Sequence, residues 1–238
     1  MSRFYVEAAS VSENSITVSG TDVNHIRNVL RKKPGDKMTC FDPSGMEYSA
    51  RIKEYGKDTV VLEIVSRIKL ATESPVKVSL IQSLPKLSKM DDIVKNSSEL
   101  GVFEIFPVIT ERSIPKADKT ERWQRIAKEA AEQSGRGHVP VVHNVSSFDR
   151  ILETAGPCGL KLIPWEGERT VSLKESLKIS GTSGSIAVLI GPEGGFSSGE
   201  VEKAAKRGFI PVSLGKRILR TETAGPAVLA MIMYEREL

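Results

Sequence analysis

Ile186-Ala-Val-Leu-Ile-Gly-Pro-Glu-Gly-Gly-Phe-Ser-Ser-Gly-Glu-Val201 joins an apolar run to a glycine-rich turn and then to polar residues spaced for a helix. A continuous apolar run bounded by Gly191-Pro192 predicts a strand buried on both faces. Ser197 and Glu200, three apart, predict a capping box at the start of the following helix. Glycines at the C-terminal end of such a strand let backbone approach a ligand closely, and in open α/β sheets that edge is where ligands bind. The turn has neither the GxGxxG nor the GxxxxGK[ST] spacing, and Glu193 in its middle opposes a pyrophosphate. A ligand with an adenine ring and a positive centre, without phosphates, suits it better; a tight structural turn is the competing reading.

A second segment of the same kind follows, Val212-Ser-Leu-Gly-Lys-Arg-Ile-Leu-Arg-Thr-Glu-Thr-Ala-Gly-Pro-Ala227. Leu214-Gly215 is expected to end a strand. Lys216, Arg217 and Arg220 then bring three cations, and Thr221, Glu222 and Thr223 offer caps and a negative charge to a closing helix. Helix capping alone would account for Glu222.

Around these segments, a strand-then-helix rhythm predicts strands at Val76 to Ile81, Glu104 to Ile109, Leu160 to Pro164 and Ser185 to Ile190. It predicts helices at Lys89 to Leu100, stopped by Gly101, and Thr120 to Ser134, stopped by Gly135. Trp123, Ile126, Ala127, Ala130 and Ala131 fall on one face of the latter. Alternation of this kind implies an α/β unit with a mostly parallel sheet. Before the polar segment ending at Pro75 the pattern differs. Met38 to Phe41, Glu47 to Ile52 and Thr59 to Val65 read as short strands between turn residues, so residues 1–70 are expected to form a small antiparallel barrel or sandwich and residues 74–238 the α/β unit. One helix is expected inside the small unit, capped by Thr21 or Asp22, with Ile26, Val29 and Leu30 on a single face.

Composition narrows the classes. The 238 residues are 39% hydrophobic and 27% charged, as in folded globular proteins. Lys and Arg exceed Asp and Glu by 34 to 30, so net charge alone does not diagnose nucleic-acid binding. Clustering is more informative: His25, Arg27, Arg31, Lys32 and Lys33 lie in a stretch without acids, a candidate phosphate-contacting patch or else a solvated helix face. Arg112, Lys116, Lys119, Arg122, Arg125 and Arg136 form a second basic stretch, diluted by acids. Cys40 and Cys158 form no CxxC pair and the three histidines have no metal-ligand spacing, so free thiols, no metal and a cytoplasmic setting are expected. No segment reaches the ~20 apolar residues of a membrane span.

Taken together, Ile190-Gly-Pro-Glu-Gly-Gly-Phe196 and Leu214-Gly-Lys-Arg-Ile-Leu-Arg-Thr-Glu-Thr-Ala224 resemble the signature of the RsmE family of SPOUT methyltransferases. The resemblance extends over nearly the whole chain. His25-Ile-Arg-Asn-Val-Leu-Arg31 with Gly35-Asp36 is similar to that family's N-terminal PUA-like RNA-binding domain. Lys89-Met-Asp-Asp-Ile-Val-Lys95, Ser98-Glu-Leu-Gly-Val102, Glu111-Arg-Ser113, Trp123 and Glu129 to Arg136 are similar to its middle motifs, although Asn96-Ser97-Ser98 stands where Lys-Ala-Thr is expected.

The resemblance implies S-adenosyl-L-methionine as cofactor, N3 of a uridine in small-subunit ribosomal RNA as acceptor, a C-terminal trefoil knot and a homodimer. The RNA substrate is the free molecule or the assembled 30S subunit. It also implies a cofactor held among Pro164-Trp165-Glu166, Gly191-Pro192-Glu193-Gly194-Gly195 and Leu214 to Ala224. Backbone groups of Ile190, Leu214, Ile218 and Leu219 would meet adenine, and Gly215, Thr223 and Ala224 would complete the wall. Arg220 is the candidate cation beside the uracil carbonyls and Glu222 the candidate proton acceptor. Arg136 joins His25, Arg27, Arg31, Lys32 and Lys33 as candidate RNA contacts. The rival readings are methylation of a ribose oxygen or of another RNA, and a non-catalytic RNA-binding assembly protein; a nucleotide-binding enzyme is disfavoured by the missing phosphate-loop lysine.

Overall fold

A computed structural model describes residues 3–113, 118–154, 158–179 and 184–237. The chain divides into two compact units, one holding Met1–Glu73 with Ala131–Val139, the other Ser74–Ala130 with Pro140–Leu238.

The first unit is a five-stranded sheet of β1 (Arg3–Tyr5), β2 (Ser15–Ser19), β3 (Lys37–Phe41), β4 (Met46–Tyr55) and β5 (Thr59–Lys69), in the order β1-β3-β4-β5-β2. Alternate residues of β4, namely Tyr48, Ala50 and Ile52, turn inward onto Phe4, Ile16, Val18, Met38, Val60 and Leu62. The expected antiparallel arrangement holds for every pairing except β1 with β3, which run parallel. The expected helix is shorter and differently wound. Its cap is Gly20, at φ 73° and without a side-chain hydrogen bond, so neither Thr21 nor Asp22 caps it. After α1 (Thr21–Asn24) a π-helical turn spans His25–Val29, with Leu30 N–H donating to His25 O at 2.9 Å. The wider winding keeps Ile26 and Leu30 on the core and turns Val29 out, 64% exposed.

In the second unit β6 (Lys77–Ser83), β7 (Glu104–Ile109), β8 (Val141–Val142), β9 (Ser146–Ser147), β10 (Leu160–Pro164), β11 (Ser185–Ile190) and β12 (Ile210–Val212) form one sheet. Its order is β12-β10-β11-β6-β7-β8, with β9 also on β7, and every pairing is parallel. Parallel strands need covered faces. Val78, Leu80, Leu162 and Val188 point into one core, under α2 (Lys89–Glu99), α3 (Thr120–Ser134), α5 (Leu173–Ile179) and α7 (Thr221–Glu237). Ile81, Ile163, Ala187 and Leu189 point into the other, under α4 (Phe148–Thr154) and α6 (Ser198–Lys206). That two-sided burial is why β11 reads as unbroken apolar sequence.

Gly101 and Gly135 stop α2 and α3 with φ 92° and 81°. β12 ends at Val212, earlier than Leu214-Gly215, because Ser213 leaves the ladder to bridge Ser172 and Gly215 turns at φ 108°. No helix among the described residues is long and apolar enough to cross a membrane.

Candidate functional site

At the C-terminal edge of β10, β11 and β12 three loops enclose a cavity of about 860 Å³, within the range of small-molecule sites. The first loop follows β10. Trp165 N–H donates to Val212 O at 3.1 Å, and Glu168 accepts from Thr170 N–H, the Thr170 hydroxyl and Val171 N–H, fixing the loop's return. Those bonds, the Thr170 hydroxyl foremost, pull the Glu168 carboxyl down to about 2. Glu166 lies against the second loop, where a Cβ on Gly195 would collide with its carboxylate.

The second loop is the glycine turn. Gly195 N–H donates to Pro192 O at 2.9 Å with Gly195 at φ 67°, and Phe196 folds back so that its ring would meet a Cβ on Gly191 at 3.2 Å. Arg112 donates to Gly194 O at 2.6 Å. The capping box is present: Glu200 N–H donates to Ser197 Oγ, and Ser197 N–H to Glu200 Oε2. Glu200 Oε1 also accepts from Glu111 N–H at 2.8 Å, and Ser197 Oγ donates to Glu111 Oε2 at 2.7 Å, so the turn after β7 grips the start of α6.

The third loop runs from Ser213 to the first turn of α7. Thr221 does not cap that helix. Its hydroxyl donates to Gly191 O at 2.6 Å and accepts from Gln82 Nε2 at 3.0 Å, while Thr223 N–H and Ala224 N–H donate to Arg220 O.

Of the residues expected at a cofactor site, Pro164, Trp165, Glu166, Ile190, Gly191, Pro192, Glu193, Gly194, Gly195, Leu214, Gly215, Ile218, Leu219 and Ala224 all line this cavity, and Thr223 does not. Thr223 is exposed on the outer side of the helix turn. Arg220 is on the lining and exposed; Glu222 is not on the lining. Glu222 Oε2 is instead 3.1 Å from Lys89 Nζ, which is also 3.1 Å from Glu193 Oε1. Glu193 further accepts from Lys86 N–H at 3.0 and 3.2 Å.

The three charges stabilise one another. Glu193 and then Glu222 raise the Lys89 ammonium above its ordinary pKa. Glu222 is lowered by its own backbone N–H and then by Lys89. Burial opposes ionisation of Glu193, but its backbone N–H, Lys89 and the Lys86 N–H outweigh it and the net shift is downward. Lys89, Phe196, Lys216 and Arg217 also line the cavity. Lys89 lies more than one hundred residues from both carboxylates, and no local pattern links them.

The expected RNA contacts divide. Arg31, at φ 53°, and Lys33 are exposed. Arg27 lies over the Tyr55 ring at 4.8 Å and donates to Gly56 O, while Tyr55 OH donates to Lys32 O. His25 is exposed, edge-on to Phe4. Arg136 departs from the expectation. It is 5% exposed, and its Nη2 is bound to Glu73 Oε2 at 2.6 Å. Inward packing takes it off the solvent-facing basic surface. In the second basic stretch Lys116 lies outside the described residues, and Arg122 pairs with Asp91 at 2.8 Å. Among the described residues no group of three His, Cys, Asp or Glu is placed to hold a metal.

Residues 72–233 match the family model described as RNA methyltransferase domain, and residues 18–65 the one described as RNA methyltransferase PUA domain. The ribosomal RNA small subunit methyltransferase E of Bacillus subtilis is 34% identical over 251 residues, covering 100% of this chain and 98% of its own. The chain belongs to the ribosomal RNA small subunit methyltransferase E family. The Synechocystis member is 37% identical over 97% of this chain and 76% of its own. The Neisseria gonorrhoeae member of this methyltransferase E family, solved bound to S-adenosyl methionine, superposes with a TM-score of 0.89 at 38% identity, covering 98% of this chain and 97% of its own.

Proposed function

We propose that this protein transfers the methyl group of S-adenosylmethionine to N3 of a uridine in small-subunit ribosomal RNA. The observation that carries this reading is the cavity closed by three loops at one sheet edge, in a chain of the methyltransferase E family. Its chemistry fits such a donor. Gly191 and Gly195, lacking a Cβ, let the Phe196 ring and the Glu166 carboxylate pack against the turn, backbone groups of Ile190, Leu214, Ile218 and Leu219 are at hand for adenine, and Glu166 offers a carboxylate to a positive centre. S-adenosylmethionine, when bound, supplies a methyl group already activated by its positive sulfur.

What remains for the protein is orientation and deprotonation. Holding N3 in line with the methyl carbon supplies part of the acceleration, and a fixed cation where charge develops supplies more. Arg220, exposed on the lining, is the cation we assign to the uracil carbonyls. Glu222, held ionised on Lys89 and off the lining, is a weak base near neutrality; we assign it to orienting Lys89 and let the N3 proton leave to water. N3 is on the pairing edge, so the target base must be unstacked or single-stranded. Arg27, Arg31, Lys32 and Lys33 of the small unit, with His25, are assigned to RNA phosphates.

We extend the proposal to a knotted C-terminus and a homodimer. The knot is supported by the path of the chain, which leaves β12 at the sheet edge and returns with α7 packed on α2, β6 and β11.

The test is incubation of small-subunit RNA and of assembled 30S subunits, from cells lacking the gene, with labelled S-adenosylmethionine, followed by nucleoside analysis. 3-Methyluridine is expected. A 2′-O-methyl nucleoside would move the acceptor to ribose, and no cofactor binding by calorimetry would leave a non-catalytic RNA-binding protein.

A further inference from the structure

Lys89, the first residue of α2, reaches the cavity between two carboxylates of unrelated origin. Glu193 comes from the turn after β11 and Glu222 from the first turn of α7, each 3.1 Å from Nζ. Glu193 is itself held by the Lys86 N–H, so the ammonium has little freedom to swing. An ammonium carries three N–H donors. Both carboxylates balance its charge at ion-pair distance, and its side chain, 27% exposed, is part of the cavity wall.

We propose that Lys89 is a catalytic residue, donating an N–H to a carbonyl oxygen of the target uracil and stabilising the negative charge that the ring carries once N3 gives up its proton. The inference rests on the methyl-transfer reading above. The N3 proton passes to water, the N3 lone pair forms a bond to the methyl carbon, and the carbon–sulfur bond breaks with its electron pair going to sulfur; one proton is released overall. The groups facing Lys89 are Glu193 and Glu222, with Arg220 acting on Glu222. Both carboxylates keep the ammonium charged through neutral pH, so it is a fixed donor and not the base. Preorganised donors of this kind are worth about 10²–10³ in rate.

The test compares wild type, Lys89→Met and Lys89→Arg in single-turnover methylation of unmodified small-subunit RNA from about pH 6.5 to about pH 9.5, with S-adenosylmethionine affinity measured by calorimetry. Lys89→Met is expected to lose about 100-fold at neutral pH and to recover as pH rises, because solvent then ionises the uracil unaided. Its cofactor affinity should stay within about threefold of wild type. Lys89→Arg should keep the wild-type pH profile. A Lys89→Met loss of equal size at every pH, or an equal fall in cofactor affinity in both variants, would overturn the inference while leaving methyl transfer by the wild type intact. Wild-type protein that binds no S-adenosylmethionine would overturn the function and this inference together.

Discussion

The Thr221 hydroxyl donates to the Gly191 carbonyl at 2.6 Å, tying the first turn of the last helix to the glycine turn thirty residues earlier. Gln82 Nε2 donates to the same hydroxyl from β6, and both residues are buried. Thr221→Val keeps the shape and removes the bond, leaving buried polar groups on either side. A loss of about 1–3 kcal/mol in denaturant unfolding is expected, with weaker cofactor binding by calorimetry; Thr221→Ser should restore both.

Gly195 carries two constraints, a φ of 67° and the Glu166 carboxylate where a Cβ would go. Gly208 has φ 85° but open space around it. Gly208→Ala should therefore cost only the backbone term, roughly 1–2 kcal/mol. Gly195→Ala should displace the first loop and abolish cofactor binding. Equal cofactor affinity in the two variants would show that the close approach of Glu166 is irrelevant.

Glu168 is pulled from the ordinary 4.5 to about 2 by the Thr170 hydroxyl and neighbouring N–H groups. A depressed carboxyl stabilises the fold above its unfolded pKa and loses that contribution as pH falls through the folded one. Glu168→Gln should be less stable than wild type above pH 4.5, with the difference disappearing toward pH 2. Urea midpoints measured across that range check the sign.

Burial, and then the charges of Asp22 and Glu132, push the Cys40 thiol up to about 12; Cys158, half-buried, is raised by its own burial. A disulfide-exchange reagent should label Cys158 first in the native protein and Cys40 only on unfolding. Early labelling of Cys40 would mean that the small unit opens locally.

Arg136 and the exposed cations should behave in opposite ways. Arg136→Met leaves Glu73 without its closest cation in a site that is partly open, a cost of about 3 kcal/mol, and should not alter the salt dependence of RNA binding. Lys33→Ala should leave stability unchanged and reduce the salt slope of RNA affinity by about one phosphate contact.

Local sequence decided the elements whose signals are local. β11 followed from an apolar run that only two-sided burial explains, α6 from Ser197 and Glu200, and the stops of α2 and α3 from glycines that take a left-handed turn. Two walls of the cavity were legible in the glycine-rich turn after β11 and the segment after β12, while Pro164-Trp165-Glu166 and the adenine contacts came only through the family resemblance; all but Thr223 of the expected cofactor residues lie on the lining. Three things were decided by tertiary structure alone. Arg136 reads as a surface cation but is drawn inward to Glu73; Thr221 reads as a helix cap but bonds across to Gly191; and Glu222 reads as a helix-capping residue or proton acceptor but is held by Lys89. Each depends on a partner distant in sequence, and charge or capping propensity has no term for which distant group the fold brings within hydrogen-bonding range.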